Sequence, residues 1–244
     1  MRTLIWFLFF WVTLLLLIPT MKKAQQLKAG GDVRGAKAIV DKKVFWWASS
    51  LLRLAGAEVT VEGKENIPRR PAVFVANHQG NFDIPILLTS LDSPHALVAK
   101  AELRKIPLIR SWMELLDCVF IDRSNARQSV TALREAADSM IRGGSSFIIF
   151  PEGTRSKGGP VGEFKNGGFK VAFKSGAPLV PICIQGSYRL MEAGGNWIHP
   201  AKVRVTILPP VETAGMSKEE SKTIGEEVRQ QILSVMERTP LEQA

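Results

Sequence analysis

The chain has 244 residues, 45% of them hydrophobic, a formal net charge of +9 and only two cysteines. This length and apolar content suit one large domain with an appendage and exclude a disordered chain. The cysteines, Cys118 and Cys183, both lie in apolar runs, which excludes a disulfide framework and fits buried free thiols in a reducing compartment; the three scattered histidines offer no metal-ligand spacing, so no metal is expected.

The charge is concentrated at one end. Residues 1–57 hold nine Lys/Arg against two acids, Asp32 and Asp41, beside four of the six tryptophans (Trp6, Trp11, Trp46, Trp47). Basic residues flanking Trp, Phe and Leu runs describe an anionic membrane surface better than a nucleic-acid site.

Leu4 to Ile18 (LIWFLFFWVTLLLLI) is nearly unbroken apolar sequence, followed by Pro19. Fifteen helical residues reach about 22 Å, short of a hydrocarbon core of about 30 Å. A half-inserted or interfacial helix is therefore favoured over a span from Thr3 to Met21. A cleaved signal peptide is less favoured still, because no small-x-small site precedes Met21-Lys22-Lys23. The positive charge behind the segment places the rest of the chain on the cytoplasmic face of the cell (inner) membrane. A second helix is expected over Ala36 to Leu54. It either completes a membrane-associated hairpin lying in one leaflet or packs on the globular domain.

From residue 58 the pattern changes, so the expected division is a helical segment over 1–57 and an α/β domain over 58–244. Strands are expected at Glu58–Glu62, Val73–Ala76, His95–Ala99, Val119–Ile121, Phe147–Phe150, Leu179–Ile184 and Val203–Leu208. Helices are expected after Asp83, over Gln128–Ile141, over Phe169–Lys174 and over Ser217–Arg238. This alternation predicts an α/β fold, a mixed sheet flanked by helices.

Two stretches carry chemistry. The first is VFVANHQGNFDIP, residues 73–85. On one helix His78 and Asp83 would stand roughly 140° apart. A buried strand, a turn at Gly80-Asn81 and a helix opening at Asp83-Ile84-Pro85 would instead fold the carboxylate back onto the imidazole. That pairing would fix the ring tautomer and leave one nitrogen as a general base; the plainer alternative is two loop residues with no partnership. The second stretch is FIIFPEGTRSKGG, residues 147–159. Here a strand runs into a loop where Gly153 permits close backbone approach and Arg155 offers a planar fork to a phosphate. Its alternative is a structural Glu152–Arg155 ion pair.

Together, NHQGNFD and FPEGTRS some seventy residues later resemble the HxxxxD and FPEGTR blocks of the glycerophospholipid acyltransferase family, in particular the 1-acylglycerol-3-phosphate acyltransferases. Lys100-Ala-Glu102-Leu103 with Ile106-Pro107, running to Phe120-Ile121-Asp122-Arg123, looks like its second block, and Val180-Pro181-Ile182 like its fourth. The resemblance implies transfer of a fatty acyl group from acyl-CoA or acyl-ACP, as co-substrate, to the sn-2 hydroxyl of lysophosphatidic acid, with no cofactor. It implies His78 as base and Asp83 as its orienting partner. Arg155, Arg123 and Lys100 would hold the phosphate, with Glu152, Gly153 and Thr154 placing the glycerol. Another lysophospholipid or glycerol 3-phosphate is the alternative acceptor, and a non-catalytic membrane scaffold the alternative role. Gly80 is expected to loosen the turn joining the pair.

Overall fold

A computed structural model describes residues 1–122, 125–142 and 144–241. Seven strands form one sheet: β1 (Ala57–Glu62), β2 (Val73–Ala76), β3 (Ala96–Lys100), β4 (Val119–Ile121), β5 (Phe147–Ile149), β6 (Leu179–Gln185) and β7 (Ala201–Ile207). Their order is β1-β7-β6-β2-β5-β3-β4. Every neighbouring pair is parallel except β6 and β7, so the sheet is mixed. Five strands, β6-β2-β5-β3-β4, therefore end at the same edge. In an α/β sheet, the crevice beyond the carboxyl ends of parallel strands is where ligands bind.

Side chains alternate across the sheet and divide the core in two. On β2, Phe74 and Ala76 face one layer and Val73 and Val75 the other. The second layer is built from α6 (Ala126–Ile141), α7 (Lys170–Ser175) and α8 (Glu220–Arg238), whose Ile224, Val228 and Ile232 are buried. The first layer holds α4 (Asp83–Ser90), α5 (Pro107–Leu115) and the whole N-terminal segment.

That segment is three helices: α1 (Arg2–Leu16), α2 (Ile18–Ala29) and α3 (Val33–Ala55). Helix α1 ends at Leu16, and the chain bends by 46° into α2, with Pro19 in its first turn. Among the described residues no single helix is long and apolar enough to cross a membrane; only the bent α1–α2 pair meets that test jointly. Asp32 caps α3 by accepting a hydrogen bond from Gly35 N at 2.9 Å. The face of α3 carrying Val40, Val44, Ala48, Leu51, Leu52 and Ala55 is buried in the core of the sheet. α1 then lies on α3. Trp6 Nε1 donates to Leu51 O at 2.9 Å, Trp47 Nε1 donates to Thr13 Oγ1 at 3.0 Å, and the Trp6 ring meets Phe82 at 5.4 Å. The helix expected over Ala36 to Leu54, which is α3, thus packs on the globular domain. Even so, α1 leaves Leu4, Ile5, Leu8, Trp11, Val12, Leu15 and Leu16 exposed, and α3 adds Phe45 and Trp46.

The expected strands and helices all form, with ends shifted by a few residues. The sequence reading missed α2 and α5. The latter is nine residues long, and its pattern lies inside the second motif block.

Candidate active site

β2 leads into Asn77 and His78. Asn77 extends the pairing with β6, donating from Nδ2 to Ile184 O at 2.9 Å and accepting from Ile184 N at 2.8 Å. The chain then turns, and Asp83 opens α4. Asp83 is fully buried. Its Oδ2 accepts from His78 Nδ1 at 2.6 Å, Gln79 N at 2.7 Å and Gly80 N at 2.9 Å, and its Oδ1 accepts from Ser187 Oγ. Four donors converge on the group, the complement of an ionised carboxylate, which only accepts. With Nδ1 bonded to Asp83, the His78 proton belongs on that nitrogen. Its Nε2 has no partner among the described residues. The ring stacks on Phe150 at 4.1 Å and faces a cavity.

The loop after β5 is bound to the His78 loop. Ser156 N donates to His78 O at 2.8 Å and Lys157 N to Gln79 O at 3.0 Å. Glu152 is buried, with Oε1 accepting from His78 N at 2.6 Å and Oε2 from Gly162 N at 2.8 Å. Burial raises its pKa above the usual carboxylate range, and the two backbone donors oppose that shift without cancelling it. Gly153 turns the loop at φ 74°. Arg155 bonds Asn81 Oδ1 and lies 3.8 Å from Glu192, whose Oε1 also accepts from Asn81 N at 2.7 Å.

The structure brings most of the expected residues together. His78 and Asp83 are paired, and His78, Lys100, Gly153, Thr154 and Arg155 line one cavity. Lys100, at the end of β3, pairs with Glu102 at 2.7 Å at the mouth of that cavity. Glu152 does not line it; its carboxylate is taken up by backbone N–H groups of the two loops. Glu152 and Arg155 do not form the ion pair weighed from sequence, because Arg155 turns to Asn81 and Glu192. Arg123 lies outside the described residues. Gly80 does not leave a loose turn. Its N–H is bonded to Asp83, and its missing Cβ leaves room for the Glu192 carboxylate.

The cavity measures about 900 Å³, within the range of about 300–1,000 Å³ of small-molecule sites. From its polar mouth it runs into apolar space between Trp6, Phe10 and Leu14 of α1, Trp47 and Leu51 of α3, and Trp112 and Met113 of α5. The N-terminal helices thus supply one wall. Neither cysteine lines it, and burial pushes both thiols up to about 12. A thiol held protonated is a poor nucleophile. Among the described residues no cluster of three or more His, Cys, Asp or Glu is placed to hold a metal ion.

Sequence reasoning missed Ser187 and Glu192. Gly186-Ser187, directly after a buried strand, was the available signal for the first; nothing local marks the second.

A family model described as Acyltransferase matches residues 58–185. A probable 1-acyl-sn-glycerol-3-phosphate acyltransferase of Mycoplasma pneumoniae is 34% identical over 202 residues, which cover 78% of this chain and 76% of that protein. A similarly named protein of Mycoplasma genitalium is 40% identical over 157 residues, 62% of this chain and 58% of its own. Among solved structures, the 1-acyl-sn-glycerophosphate acyltransferase PlsC from Thermotoga maritima superposes with a TM-score of 0.74 at 33% identity. That match covers 96% of this chain and all of the other. The matched region holds both motif loops and the five parallel strands β2 to β6, of which β2 and β5 present those loops, and the chain belongs to the acyltransferase family of enzymes.

Proposed function

We propose that the enzyme transfers a fatty acyl group from a thioester carrier, acyl-CoA or acyl-ACP, to the sn-2 hydroxyl of lysophosphatidic acid, giving phosphatidic acid. The observation that carries this reading is the free Nε2 of His78, which faces a long apolar cavity at whose mouth Arg155 and Lys100 also sit. The apolar depth suits an acyl chain, and the two cations suit the acceptor's phosphate. The names of the relatives favour the same acceptor.

In this mechanism Nε2 takes the hydroxyl proton as the acceptor oxygen attacks the thioester carbon. Asp83 holds the ring and stabilises the imidazolium. General-base catalysis of this kind contributes about 10²–10⁴-fold. The tetrahedral intermediate collapses by breaking the carbon–sulfur bond, and the thiolate recovers the proton from His78. The N–H groups of His78, Gln79, Gly80 and Asn81 are committed to carboxylates, and that of Gly153 to Phe150 O. We take the donor to the developing oxyanion from the N–H groups of Thr154 and Arg155, which line the cavity.

The exposed apolar face of α1, with Phe45 and Trp46, is the surface that rests in the membrane on the cytoplasmic side, where lysophosphatidic acid is delivered. Lys and Arg on the same segment would meet anionic headgroups, each worth about 1 kcal/mol.

The test is thiol release from palmitoyl-coenzyme A and from palmitoyl-acyl carrier protein, with and without lysophosphatidic acid. Release that needs the lysolipid and is lost in His78→Ala is the expected result. Release unaffected by the substitution would refute the mechanism.

A further inference from the structure

We propose that Ser187 is a positioning residue for acyl transfer, holding the Asp83 carboxylate at the angle from which it aims His78. The inference rests on the general-base reading above and extends it to a residue in the segment after β6.

The donors to Asp83 divide by origin. Those on Oδ2 come from His78, Gln79 and Gly80, within the same short turn. The Ser187 hydroxyl, on Oδ1, comes from the segment after β6, 104 positions away in the chain. Among the described residues it is the contact that ties the carboxylate to the rest of the sheet. Without it, the carboxylate of Asp83 would be held only by donors of the turn it belongs to, while His78 would keep its ties to Glu152 and Ser156.

Ser187 is itself tightly placed. It is fully buried, and its Oγ also lies 3.3 Å from the Gln79 side-chain oxygen. A hydroxyl has one proton, and the charged acceptor takes it because charge-assisted bonds are shorter and about twice as strong. Gly186 turns the chain out of β6 at φ 89°, where a Cβ would stand 2.6 Å from Lys202 O. The two Asn77–Ile184 bonds fix the β6 end against the β2 end. This geometry delivers one hydroxyl to one carboxylate oxygen. Ser187 does not line the cavity, so it acts on substrate only through Asp83 and His78.

A positioning role and a packing role differ in kinetics. In Ser187→Ala, kcat should fall roughly 10- to 100-fold, as expected for losing a hydrogen bond to a charged group. KM for lysophosphatidic acid should stay within about twofold, because the cavity is untouched. Ser187→Cys, with a weaker donor in nearly the same space, should fall between. In an Asp83→Asn background, Ser187→Ala should cost little more, since its effect passes through that carboxylate. Each variant is first shown to be folded by its thermal transition. If Ser187→Ala does not fold, Ser187→Cys carries the test. Full kcat in the folded variant, or the same fold-loss in the Asp83→Asn background, would overturn the proposal. An active His78→Ala would instead sink the mechanism on which it rests.

Discussion

At the residue scale the site is a set of backbone and side-chain donors organised around two buried carboxylates with opposite duties. Asp83 accepts from the histidine, the turn and Ser187. Glu152 fixes the two loops to each other, through His78 N and Gly162 N. Burial raises the Glu152 pKa, so between the ordinary carboxylate range and the raised value the folded protein keeps a proton that the unfolded chain has lost. Stability from this group is full below that window and declines as pH rises through it. Glu152→Gln cannot ionise, yet its amide turns an NH₂ toward one of the two N–H donors. The wild type should therefore be the more stable at acid pH, with its advantage shrinking as pH rises. Urea unfolding of both proteins from pH 4 to 7 measures this, and an advantage that grows with pH would contradict it. The dyad was legible in the sequence because His78 and Asp83 are five positions apart and joined by a turn. Ser187 and Glu192 were not, because their contacts with Asp83 and Asn81 cross 104 and 111 positions. No local spacing encodes such pairs; the order of strands does.

At the element scale, the strands are legible because buried parallel strands read as short apolar runs bounded by turn residues. Helix α1 is the element where pattern and environment diverge. Its sequence is apolar all round, so periodicity alone could not say which face packs. In the fold Trp6 and Leu14 are buried, while Leu4, Leu8, Trp11 and Leu15 are exposed. An exposed apolar surface of this extent marks an interaction site. The membrane is the partner we propose, so Leu8→Glu with Trp11→Glu should weaken binding to vesicles of phosphatidylglycerol and phosphatidylethanolamine by at least tenfold. The core-facing residues are untouched, so the thermal transition should hold. Vesicle flotation decides this, and undiminished binding would remove α1 as the contact.

At the scale of the whole molecule, the N-terminal helices are less an appendage than the sequence implied. Leu51, 1% exposed, joins Trp6 and Leu14 to strand residues such as Phe74 and Ile182 in one core cluster, and Leu51 also lines the cavity beside His78. The same helices thus cover the sheet, wall the cavity and offer the apolar outer face. Sequence suggested a membrane surface for the basic and tryptophan-rich segment, but the burial of one side of α3 depends on a sheet built from residues far downstream. Because both parts share a core, unfolding should be a single cooperative transition rather than an early loss of helices followed by the α/β layers. Leu51→Ala tests this. A cavity at that position should cost about 2–5 kcal/mol and lower the melting temperature of the whole protein. Circular dichroism for the helices and near-ultraviolet signals for the tryptophans should shift together. A variant that lost only the early part of the helical signal, with the rest of the transition unmoved, would show that residues 1–57 fold as a separate unit.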